Sequence, residues 1–137
     1  MKKIVLDTNC LLACIATKSI YHDLWTAFLN EDFSLCVSNE IMNEYEEVLA
    51  KKTSPMFADM IIQIILNSEN VVFAYPTFRF HLITIDPDDN KFVNCAIVTN
   101  ADYIVSQDKH FNILKKIDFP KVNVISIKTF KEINSLL

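Results

Sequence analysis

The chain has 137 residues, 51% apolar and 22% charged, which suits one domain able to bury about two thirds of its unfolded surface without disulfide staples. It contains no glycine, and this excludes the phosphate-binding P-loop, the dinucleotide-binding G-x-G-x-x-G turn and the G-x-S-x-G nucleophile elbow, all of which need backbone that glycine supplies cheaply. A net charge of −4 argues against gripping nucleic acid by bulk positive charge, although residues 101–137 hold six bases against four acids while residues 1–100 hold seven against thirteen.

The pattern along the chain is one alternating series of strands and helices, with no repeat, linker or low-complexity tract. Ile4 to Leu6 is a short unbroken apolar run, the signature of a strand buried on both faces of a parallel sheet, and Asp7 stands at its carboxyl end. Helices are expected from about Thr8 through Ala16 and from about Tyr21 to Leu29, then a strand from Phe33 to Val37. Ser38 is a good N-cap for a helix running to about Lys51, with Ile41, Tyr45, Val48 and Leu49 as its apolar stripe. Ser54 and Pro55 start another helix, richer in large apolar groups than one core face needs, which fits either deeper burial or a homodimer surface.

A third strand covers Val71 to Ala74, and the stretch from Pro76 to Ile85 carries no clear pattern. Asp86 caps a helix with Pro87 at its first position, ending near Asn100. Strand Tyr103 to Ser106, a helix from about Lys109 to Lys116, strand Val122 to Ile125 and a closing helix from Ser126 complete the series. Strands alternating with helices imply a three-layer α/β/α domain around a mostly parallel sheet, occupying residues 1–137 as one unit.

Cys10, Cys14, Cys36 and Cys95 form no C-x-x-C pair, and no histidine lies at zinc-finger spacing from them. Each sits among apolar neighbours, so the reading is four reduced cysteines used as small core hydrophobes in a cytoplasmic protein. No apolar stretch approaches the roughly 18 residues of a membrane span, and Asp7 interrupts the opening apolar run too early for a signal peptide.

The acids are the informative residues. In open parallel sheets the working site lies beyond the carboxyl ends of strands, and both Asp7 and Asp108 follow strands. Such an aspartate is commonly a helix N-cap, but two at equivalent places point to a site. Projection of the helix after Ser38 at about 100° per residue turns Glu40, Glu46 and Glu47 away from the apolar stripe and leaves Glu44 at its edge. On the helix after Pro87 the same projection puts Asp89 on the apolar face and turns Asp88 away.

A buried carboxylate without a counter-charge costs several kcal/mol, so inward acids are normally paired, protonated or bound to a cation. Arg79 is the only arginine, and no lysine is expected on the inner face beside Glu44 or Asp89. A hard divalent cation, Mg²⁺ or Mn²⁺, would neutralise such an oxygen cluster, a combination that favours phosphodiester hydrolysis.

Four segments in order, I-V-L-D-T-N (4–9), S-N-E-I-M-N-E-Y-E-E-V-L (38–49), D-P-D-D-N-K-F-V-N-C-A (86–96) and A-D-Y-I-V-S-Q-D-K-H-F (101–111), closely resemble a PIN domain over nearly the whole chain. Within that superfamily the chain looks most like the bacterial PIN proteins classed as toxins of toxin–antitoxin modules, similar to VapC ribonucleases. The resemblance implies a Mg²⁺- or Mn²⁺-dependent ribonuclease whose catalytic and metal-binding acids are Asp7, Glu44, Asp89 and Asp108, with Thr8, Asn9 and Ser106 orienting them. It further implies RNA cleavage leaving a 5′-phosphate and a 3′-hydroxyl, and a cognate antitoxin that shields the acids.

Two departures from the family pattern bear on loop shape, and therefore on RNA choice. Gln107 stands where Gly or Arg is usual, and the first helix-loop region lacks glycine. A catalytically silent PIN-fold module for RNA binding or regulation is the first rival reading. An aspartate phosphotransfer domain is the second, opposed by Asn9 where its second Asp is expected.

Overall fold

The computed structural model describes residues 1–75, 90–107, 111 and 121–135. The stretch from Pro76 to Ile85, the cap at Asp86, Asp89, Asp108 and the helix expected over 109–116 lie outside the described residues, Phe111 excepted.

Five strands form one sheet: β1 (Lys3–Leu6), β2 (Ser34–Val37), β3 (Val71–Phe73), β4 (Tyr103–Val105) and β5 (Val124–Ile125). Their order is β3-β2-β1-β4-β5, and every pairing is parallel. All five strands expected from the sequence are present. Ile4, Val5 and Leu6 are all buried, as are Leu35, Cys36 and Val37. Because side chains alternate between faces along a strand, three consecutive buried residues mean that both faces of the sheet are covered, which makes the domain a three-layer α/β/α sandwich.

The described helices are α1 (Thr8–Ile15), α2 (His22–Leu29), α3 (Asn39–Lys52), α4 (Pro55–Leu66), α5 (Asn90–Thr99) and α6 (Ile127–Ser135). Local chemistry sets their ends. The Ser38 hydroxyl accepts from the Ile41 N–H at 3.3 Å, the Ser54 hydroxyl from the Phe57 N–H at 3.1 Å with Pro55 in the first turn, and the Ser126 hydroxyl from the Thr129 N–H at 3.1 Å. In a chain without glycine, the left-handed residues that close α2 and α5 are Glu31 (φ 63°) and Asn100 (φ 55°). Each ends its helix in a Schellman motif: Asp32 N–H bonds Ala27 O, and Ala101 N–H bonds Ala96 O, both at 2.9 Å.

The helix α5 packs on β1, β2 and β4, and α1 packs against α2 and α3. Aromatic rings link distant segments: Trp25, Phe28, Phe33 and Phe130 follow one another at centroid separations of 5.4, 6.0 and 5.1 Å. Phe92 meets Phe111 edge-on at 6.4 Å. All four cysteines are buried and form no disulfide. Among the described residues no helix is long and apolar enough to cross a membrane.

Candidate active site

The sheet's connectivity reverses at β1, since β2 lies on one side of it and β4 on the other. The crevice beyond the carboxyl ends of β1 and β4 is therefore the topological switch point at which open α/β sheets place their ligands. Register decides what stands there. Leu6 pairs with Val105, so the next residue of each strand, Asp7 and Ser106, leave the sheet level with each other. The Asp7 N–H bonds the Val105 carbonyl at 3.0 Å, and the Ser106 hydroxyl donates to Asp7 Oδ2 at 2.8 Å.

Asp7 occupies the N-cap position of α1, yet its side chain accepts no capping hydrogen bond from that helix. The bland reading of this residue as a helix cap therefore fails. Its carboxylate is turned instead to Ser106 across the strand ends, at 8% exposure, where only a built environment would keep an acid. The α1 amino terminus lies immediately behind it and favours negative charge.

Glu44 reaches the same place from α3. Its Oε2 accepts a hydrogen bond from the hydroxyl of Thr8, the buried neighbour of Asp7. Glu44 is half-buried while Glu40, Glu46 and Glu47 are exposed, as the helical projection separates them. One residue on, the fully buried Tyr45 donates its hydroxyl proton to the Leu6 carbonyl at 2.5 Å. Burial pushes the Tyr45 phenol well above its ordinary range, and nearby Cys95, Asp7, Cys10 and Glu44 add to the shift, so the hydroxyl keeps the proton it donates. Burial, with the Asp7 charge next in weight, likewise pushes the Cys10 thiol up to about 12.

The structure thus brings together Asp7, Thr8, Glu44 and Ser106. Asn9 is exposed on the first turn of α1, and Asp89 and Asp108 lie outside the described residues. Among the described residues no group of three or more His, Cys, Asp or Glu side chains is arranged to hold a metal ion. The side chains of Asp7, Thr8, Glu44 and Ser106 offer carboxylate and hydroxyl oxygens, the kind of ligand that a hard divalent cation takes.

The PIN domain family profile matches residues 3–110. The chain belongs to the PIN domain family. No curated protein matches the sequence significantly. Among solved structures, this PIN domain is similar to VapBC from Salmonella typhimurium bound to DNA (TM-score 0.64, 17% identity, 93% of this chain and 99% of that one). It is also similar to VapBC2 from Rickettsia felis bound to a DNA fragment from its promoter (TM-score 0.63, 17% identity, 90% and 98%). The PIN domain endonuclease Utp24 is a third such structure (TM-score 0.51, 18% identity, 90% and 84%). At these identities the likeness is one of fold.

One expectation about this PIN domain is overturned. Lys91, at the start of α5, places its ammonium 2.8 Å from Glu44 Oε1, where no lysine was expected on the inner face. The projection tracks Cα directions, whereas a four-carbon stem carries the charge well away from its own Cα. The sequence signal was the position of Lys91 between the D-P-D-D-N acids and Phe92 in one motif, and its ammonium stands 5.5 Å from the Phe92 ring centroid.

Proposed function

We propose that this PIN domain is a divalent-metal-dependent ribonuclease, acting in the cytoplasm as the toxin of a toxin–antitoxin pair. The observation that carries the reading is that Asp7, held by the Ser106 hydroxyl, stands at the β1–β4 switch point while Glu44 is held by the hydroxyl of Thr8, the residue next to Asp7. Family membership supports the chemistry, and the fold shared with VapBC proteins and with an endonuclease supports the biological role.

Asp7 and Glu44 would hold Mg²⁺ or Mn²⁺, with Asp89 and Asp108 completing the set. A bound cation supplies positive charge against the scissile phosphate and makes an attacking water more acidic. The chain's own residues position the acids. Ser106 fixes Asp7 Oδ2, Thr8 fixes Glu44 Oε2, and the Tyr45–Leu6 bond ties α3 to the strand that presents Asp7. Oriented in this way, the carboxylates lose little freedom on binding a cation and keep the phosphodiester in one register against it.

A net charge of −4 leaves RNA contacts to local features, and the lysine-bearing final third is the proposed patch. An antitoxin would cover the acidic crevice with a basic side chain. The exposed Met56, Met60 and Leu66 of α4 support self-association as a homodimer.

The ion pair between Lys91 and Glu44 favours a second reading, a PIN-fold module in which an ammonium stands permanently for the metal and nothing is cleaved. Incubating the purified protein with labelled RNA separates the two. The first reading expects cleavage that needs Mg²⁺ or Mn²⁺, stops with chelator and is lost in Asp7→Asn and Glu44→Gln. RNA binding without cleavage under every metal condition would establish the second reading, and cleavage that survives both substitutions would overturn the site.

A further inference from the structure

We propose that Lys91 is the internal counter-ion of the acidic crevice, its ammonium holding the position beside Glu44 that a divalent cation must take, so that this one residue sets the metal affinity of the site. The inference rests on the metal-dependent reading above and deepens it.

Three observations carry it. Both oxygens of Glu44 are engaged, Oε1 by Lys91 at 2.8 Å and Oε2 by the Thr8 hydroxyl. A cation that takes Glu44 as a ligand must therefore displace one of these partners or share an oxygen with it, and the charged partner is the one that repels it. The Lys91 side chain is also more buried than its partner, 13% exposed against 30%, whereas the Lys51–Glu47 pair on the same α3 is 73% and 66% exposed. The first pair is shielded from solvent screening and the second is not, so only the first makes a strong electrostatic contribution. Finally, Lys91 enters from α5 while Asp7 follows β1 and Glu44 enters from α3, so the positive charge comes from a third element rather than from a pair on one helix surface.

A lysine in this place has a physical use. Carboxylates gathered at one point repel one another, and the metal-free protein would carry that repulsion as instability. An ammonium on a flexible stem relieves it and can withdraw, because the stem has four rotatable carbons and the Phe92 ring lies beside the head group at 5.5 Å. Displacing it costs binding energy, which places the site in a weaker affinity range than the same acids would have alone.

The test is calorimetric titration of Mn²⁺ into the wild-type protein and the Lys91→Met, Lys91→Gln and Lys51→Met variants, with melting temperatures measured in chelator and in saturating Mn²⁺. Both Lys91 variants should bind Mn²⁺ more tightly by at least about tenfold, the size of removing one unit charge a few ångströms from a divalent ion even at the dielectric of water. They should melt lower than wild type in chelator and gain more on adding Mn²⁺. Lys51→Met, which removes the same charge from the solvated pair, should leave the affinity unchanged. Damage to the fold weakens binding, so tightening is a readout that a merely structural lysine would not give. Unchanged or weaker Mn²⁺ binding in both Lys91 variants overturns the inference alone, and so does equal tightening in Lys51→Met. Absence of Mn²⁺ binding in wild type and Lys91 variants alike overturns the metal-dependent reading and the inference with it.

Discussion

The Tyr45 hydroxyl donates to the Leu6 carbonyl oxygen over 2.5 Å, joining the residue next to Glu44 to the residue next to Asp7. Two carboxylates 37 positions apart in sequence are in this way held by a single buried bond between their neighbours. Packing alone would allow α3 to slide along the sheet by fractions of an ångström, whereas a directed hydrogen bond in a dry core resists it.

Tyr45→Phe keeps the ring and removes only that bond. The expected cost is about 1–3 kcal/mol of stability in urea denaturation, the range for losing a buried hydrogen bond. A weaker Mn²⁺ affinity in a still-folded protein should accompany it. A variant that loses stability but binds Mn²⁺ as wild type does would show that the bond serves the core and not the site.

Ser106→Ala tests the second constraint, the 2.8 Å hydrogen bond to Asp7 Oδ2. Hydrogen bonds to charged acceptors contribute about 1.5–3 kcal/mol, so Mn²⁺ binding should weaken about tenfold or more while the far-ultraviolet circular dichroism spectrum stays as in wild type. Ser106→Thr, which retains the hydroxyl, should recover most of the affinity. Equal behaviour of the two variants would count against orientation of Asp7 by this group.

Glu31→Gly should stabilise the protein. Glu31 holds φ at 63°, where a side chain is penalised and glycine is not. Its backbone N–H to Phe28 O at 3.0 Å is unaffected by the change. Offsetting the left-handed penalty against the greater unfolded-state freedom of glycine leaves a gain of about 0.5–1 kcal/mol. Asn100→Gly at φ 55° should gain less, because asparagine tolerates that region. Thermal denaturation of the two variants side by side measures the difference, and a lower melting temperature for Glu31→Gly contradicts the strain.

Stability should decline in alkali. Burial, followed by the charges of neighbouring groups, raises the Cys10 and Cys14 thiols from an ordinary value of 9.0 to about 12. Between those values the unfolded chain sheds these protons while the folded chain retains them, so unfolding is favoured progressively as pH rises. The contribution is fully present below pH 9 and lost as pH climbs towards 12. Urea midpoints at about pH 9, 10 and 11, three points across this window, should fall in that order, and Cys14→Ala should flatten the slope. A midpoint independent of pH over this range would mean that the thiols are not held in the dry core.

The order of strands and helices, the glycine-free capping by Ser38 and Ser54, and the inward turn of Glu44 were all legible in the sequence. They depend on local chemistry and on periodicity, and both are written in neighbouring residues. Asp7 was legible as an acid beyond a strand, but its sequence position fits a helix cap as well as a site. Only the register of β1 with β4, which sets it level with Ser106 from 99 residues away, shows that its carboxylate turns across the strand ends and not to a helix cap. The Lys91–Glu44 pair was hidden for the same reason. Helix periodicity gives the direction in which a side chain leaves its own axis, while the meeting of two long side chains from α5 and α3 depends on the distance and angle between those helices, which the packed core alone determines.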